Sequence, residues 1–176
     1  MKKIFSLLVV VLITLGVSAR GYQYSLGLVG GSGIGVQMKA MVLPNVTIMD
    51  ELGYFGCYNG INGSYFGLVD QLVIGWQDIF AEEENMEFSY YVGPQIKGGY
   101  LGNDVAGNAV GMVGAGAAAG VEANMMNAPI AVSFDFRPGY AMTMGKNPAA
   151  PLPGQSDMLF QHLFDWSINL AVRYTF

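Results

Sequence analysis

Charge is scarce in this sequence: Asp, Glu, Lys and Arg make up 12% of its 176 residues, and there is one cysteine and one histidine. A lone cysteine, Cys57, rules out an internal disulfide. Thirteen acidic residues against eight Lys and Arg give a formal charge of −5, a poor basis for neutralising phosphates. Nucleic acid is therefore not an expected partner. With so little His and Cys, no metal-ligand spacing emerges, and no cofactor is expected. Long apolar runs are scarce as well. Residues 4–16 form one, shorter than the ~20 residues a membrane helix needs. Residues 105–121 form a weaker candidate, broken by Gly107, Gly111, Gly114, Gly116 and Gly120. The Gly116–Gly120 pair fits a small-xxx-small pattern, but the stretch is a poor helix former.

What is present is more informative. Lys2 and Lys3 precede the apolar run, and Val17, Ser18 and Ala19 follow it with small residues at the −3 and −1 positions of a cleavage site. That order of charge, apolar core and small residues marks residues 1–19 as a cleaved signal peptide. Residues 20–176 then form a single domain, with a formal charge of −7 once the two lysines are lost from −5. The chain is 52% hydrophobic, with a mean hydropathy of +0.38. An exported chain this apolar, without a spanning helix, can satisfy its backbone in lipid only by closing a barrel.

The period supports that reading. Eight segments alternate apolar and polar residues, separated by turn signals such as Pro44–Asn45 and the Asn/Gly-rich stretch 59–63. Residues 30–35 (Gly-Gly-Ser-Gly-Ile-Gly) have the glycine content of a phosphate loop. That loop needs a following helix, and a strand pattern follows instead. The acidic stretch 78–85 is read as a solvated turn that breaks the alternation. The expected fold is all-β, an eight-stranded antiparallel up-and-down transmembrane barrel. With both termini at the periplasmic side, aromatics sort into two rims. The lower holds Tyr22, Tyr24, Trp76, Phe88, Tyr174 and Phe176, and the upper holds Tyr54, Phe66, Tyr100, Tyr140, Phe164 and Trp166.

The opposite parity lines the lumen. It carries Lys39, Glu51, Glu87, Lys97, Glu122, Asp135, Arg137, Asp165 and Arg173, together with Gln37, Gln71, Gln95 and Asn169. Eight strands leave an interior just wide enough for side chains, so a filled polar core of paired charges is expected. Asp50 and Asp70 resist this scheme, sharing parity with lipid-facing neighbours. A β-bulge turning each inward is the favoured explanation, and contact with a second subunit or a cation is the alternative.

The last segment alternates most cleanly, with Trp166, Ile168, Leu170, Val172, Tyr174 and Phe176 opposing Ser167, Asn169, Ala171, Arg173 and Thr175. It resembles the terminal β-signal of bacterial outer-membrane proteins, which ends in an aromatic. That resemblance implies that Tyr174 and Phe176 are read by the barrel-assembly machinery. The chain as a whole is similar to the small OmpA/OmpX-like barrels, without a peptidoglycan-binding domain. Residues 134–140 also resemble a strand of such barrels.

The implied location is the bacterial outer membrane, with outer-membrane lipid around a monomer. A non-enzymatic structural or surface-interaction role is the leading expectation. A small pore or hydrophobic-ligand conduit is the first alternative. A lipid A-modifying enzyme is the second, because some outer-membrane barrels use a His and a Ser. Here the single His162 has only Ser156 and Ser167 nearby in sequence. A soluble periplasmic lipocalin-like barrel, with its apolar faces turned inward, is the alternative at the level of the fold.

Overall fold

The computed structural model describes residues 22–60, 63–103, 109–146 and 158–176. Eight strands follow in order: β1 (Tyr24–Gly31), β2 (Gly33–Leu43), β3 (Val46–Gly60), β4 (Gly63–Glu83), β5 (Met86–Asn103), β6 (Ala109–Met125), β7 (Ile130–Lys146) and β8 (Met158–Thr175). Each pairs antiparallel with the next, and β1 closes on β8, so the sheet is a closed meander barrel. The signal-peptide segment 1–19 lies outside the described residues, as do the side chains of Cys57, Phe66 and His162.

Period-two alternation decides which way each side chain faces. In β8, Phe164, Trp166, Ile168, Leu170, Val172, Tyr174 and Phe176 are exposed, while Asp165, Ser167, Asn169, Ala171, Arg173 and Thr175 are buried. The described residues of the other strands alternate in the same way, so the outer wall is largely apolar and the charged side chains other than Asp50 and Asp70 in the spanning strands turn inward. This excludes the lipocalin-like arrangement, whose apolar faces point inward. Tyr54, Tyr100, Tyr140, Phe164 and Trp166 project outward towards the end remote from the termini. At the terminal end Trp76, Tyr174 and Phe176 are exposed, and Tyr24 stacks on Phe176 with ring centroids 6.2 Å apart.

Three details depart from the sequence-based reading. Tyr22 does not join the lower rim; it precedes β1, turns inward and is buried. The stretch 78–85 does not end the strand, because β4 continues to Glu83 and pairs with β5 through Glu83↔Met86. A register shift between Ile79 and Ala81 lets the hairpin run on past the apolar band. The glycine-rich stretch around residue 115 is a strand, β6, as its alternation predicts.

The third concerns Asp50 and Asp70. No bulge turns them inward: the register is unbroken through Asp50↔Leu72 and Leu52↔Asp70, and both side chains are exposed on the outer wall. The two sit diagonally on adjacent strands, close enough to interact electrostatically.

Two glycines illustrate what so narrow a barrel requires. Gly31, at the β1–β2 turn, has φ +132°, a conformation that L side chains rarely adopt. Gly120 faces the lumen where a Cβ would stand 2.6 Å from Tyr91 Cζ and 2.7 Å from Asp135 Cβ. Inward glycines on β6 thus leave room for long side chains from β5 and β7.

Candidate functional site

The interior is the most chemically elaborate part of the molecule. Lys39, Lys97, Arg137 and Arg173 are buried there beside Glu51, Glu122, Asp135 and Asp165, so four cations face four anions. An unpaired ion in such a place would cost several kcal/mol, so the arrangement depends on every charge finding its complement.

Near the terminal end, Glu122 of β6 is the hub. Its Oε2 accepts from Lys39 Nζ at 2.7 Å and from Arg173 Nη2. Its Oε1 accepts from the Tyr22 hydroxyl at 2.7 Å and Gln77 Nε2 at 3.3 Å. Burial and the adjoining Glu122 carboxylate push the Tyr22 hydroxyl well above its ordinary pKa, so it stays a donor. Lys39 Nζ also lies 4.9 Å from the centroid of the Tyr91 ring and 5.8 Å from that of Tyr22, within cation–π range.

The second hub is Asp135 of β7. Arg137 donates to it from Nε at 2.7 Å and Nη2 at 2.9 Å, Tyr91 from its hydroxyl at 2.7 Å, and Asn169 from Nδ2 at 3.0 Å. Arg137 Nη2 also reaches Glu51 Oε2 at 2.9 Å, where Gln37 Nε2 donates at 2.7 Å. Arg173 Nη1 donates to Gln37 Oε1, which joins the two hubs. Beyond them Lys97 pairs with Asp165 across the barrel. In the half remote from the termini the lining turns apolar: Phe55, Val69, Leu101, Met112 and Ala141 pack together, fully buried.

The structure therefore brings Lys39, Glu122 and Arg173 together, and likewise Glu51, Asp135 and Arg137, with Lys97 and Asp165 as a separate pair. Glu87 has inward parity but sits at the mouth, half-buried, away from these groups. Tyr174 and Phe176 are exposed on the outer wall of β8. His162 lies in β8 opposite Met142, and Ser156 is outside the described residues.

Sequence reasoning missed Tyr22, Gln77 and Tyr91. Tyr91 and Gln77 carry a usable signal, since each shares inward parity with named lumen residues: Tyr91 with Gln95, and Gln77 with Gln71. Tyr22 carries none, because it lies before the strand whose alternation would place it.

Some interior atoms have no protein partner, among them Arg137 Nη1, Arg173 Nε, Gln95 Oε1 and Asn169 Oδ1. Among the described residues no group of three or more His, Cys, Asp and Glu is arranged to hold a metal ion.

No family model and no curated protein matches this chain. Among solved structures it is similar to the crystal structure of Neisserial surface protein A (NspA), at 11% identity and a TM-score of 0.38, covering 87% of this chain and 93% of that one.

Proposed function

We propose that this chain is an integral outer-membrane barrel, exported by its signal peptide, with a filled interior and a non-enzymatic structural or surface-interaction role. One observation carries the reading: a wall exposing Leu28, Ile34, Ile96 and Leu170 encloses four cations matched to four anions. Such a wall suits hydrocarbon, and β-strands cross it only as a closed barrel. The interdigitated interior leaves the charges committed to each other, which disfavours an ion path. Outer-membrane lipid would surround a monomer, and Tyr174 and Phe176 would engage the assembly machinery.

The reading is tested by recording from purified protein in planar bilayers. The expected result is an absence of discrete openings over a range of voltages and salt concentrations. Regular, reproducible conductance steps would overturn the filled-interior reading in favour of the pore. The enzymatic alternative is tested separately: His162→Ala is expected to leave the lipid A mass profile of cells unchanged.

A further inference from the structure

Two turns at the terminal end bring together methionines that the interior network does not use. Met86 opens β5 and Met125 closes β6, and the two are direct partners in the antiparallel ladder. Partners in register share one face of the sheet with Cβ atoms about 5 Å apart, so the two thioether side chains start side by side. Met126 comes next in the chain and is 55% exposed.

Hydrogen bonds hold this junction in place. Met126 N donates to Asn85 O at 2.9 Å, and Asn127 Nδ2 donates to Asn85 Oδ1. The residue before Met86 is thus tied to the two residues that follow Met125. On its other side the same turn is tied to β8, where Thr175 N donates to Pro129 O at 3.0 Å. Met125 and Met126 also line a recess of about 500 Å³.

An apolar rim alone does not call for sulfur here. Trp76, Tyr174 and Phe176 mark this rim on β4 and β8, whereas β6 has no aromatic residue and brings Met125. A thioether is neutral, polarisable and soft, and its long unbranched stem adapts to a ligand's geometry. Such donors select copper(I) over the hard cations that carboxylates and carbonyls hold. Close by, the β4–β5 hairpin exposes Glu82, Glu83 and Glu84, a field that draws in cations without supplying ligands.

We propose that Met86, Met125 and Met126 bind a copper(I) ion through their three sulfurs. Two come from facing positions of the ladder, and the third from the turn that Asn85 anchors. The ion stays in one oxidation state, so the site stores or passes on copper without a redox step.

The test uses the signal-cleaved chain in detergent micelles, with Cys57→Ser as the background so that no thiol competes. Copper(I), kept reduced by ascorbate, is titrated against the coloured chelator bicinchoninate. The protein is expected to withdraw one equivalent, silver(I) to displace it and zinc(II) to leave it in place. X-ray absorption is expected to show sulfur as the copper's ligands. Met86→Leu, Met125→Leu and Met126→Leu should each weaken binding by at least about tenfold, which even loss of a ligand's supporting partner costs a metal site. Met38→Leu, on the outer wall of β2, should change it by less than about twofold, as a distant and independent position does. Leu conserves the volume and apolar character of Met, so these variants keep the fold, which heat-modifiable gel mobility verifies. The proposal is overturned if no copper(I) is withdrawn, if zinc(II) displaces it, or if nitrogen and oxygen are its ligands. It is overturned equally if Met38→Leu loses as much as the three, or if replacing all three with Leu leaves binding intact.

Discussion

Four carboxylates, two on each side of one wall, are treated very differently. Glu122 and Asp135 face the lumen, and each accepts hydrogen bonds from several side chains: Tyr22, Lys39, Gln77 and Arg173 for the first, Tyr91, Arg137 and Asn169 for the second. Asp50 and Asp70 face outward, where their strand neighbours on the same face are Ile48, Leu52, Leu68 and Leu72. Every described cation of the spanning strands points the other way. The outer pair is left facing each other across adjacent strands, like charge beside like charge. The comparison teaches that parity, not composition, decides whether a carboxylate in a barrel stabilises it or burdens it.

Breaking the inner side should have the largest effect. Glu122→Ala strands Lys39 and Arg173 without their shared acceptor. It should cost about 3–5 kcal/mol, as loss of one partner of a buried ion pair does. Urea unfolding in lipid vesicles, followed by tryptophan fluorescence, measures this directly. Next comes the space between the charges. Gly120→Leu would force a side chain into Tyr91 and Asp135 and should destabilise by about 1–3 kcal/mol by the same assay.

On the outer side the sign reverses. Replacing Asp50 and Asp70 together with Leu should stabilise the barrel by about 1 kcal/mol, since acidic groups on the lipid face carry a modest penalty. A loss of stability in that double variant would show that the pair has a partner in the bilayer. The smallest effect belongs to the hairpin beyond the band: Glu83→Gln should change stability by no more than about 0.5 kcal/mol.

Much of this was legible because a barrel strand has a period of two. Once Trp166, Ile168 and Leu170 mark one face of β8, Asp165, Asn169 and Arg173 must occupy the other. The same counting recovers Lys39 on β2, Glu51 on β3 and Arg137 on β7. It fails where the period stops. Tyr22 precedes its strand, and β4 shifts register at Ile79 and continues where composition suggested a turn. Asp50 and Asp70 show the opposite failure. Alternation placed them outward, and doubt about charge in lipid suggested a bulge that the continuous register does not contain.

By itself the sequence determined the closed sheet, its eight strands and the side of the wall on which nearly every residue lies. Alternation is a local property, and strands that alternate in this way throughout satisfy their edges by closing on one another. The partners inside were decided only by the tertiary structure. Lys39 meets Glu122 across 83 residues of chain, and Arg173 meets Gln37 across 136. Parity says that these groups share the lumen, but their heights within it follow from strand register and tilt. The diagonal meeting of Asp50 with Asp70 has the same origin, because cross-strand register, unlike alternation, is not written in either strand alone.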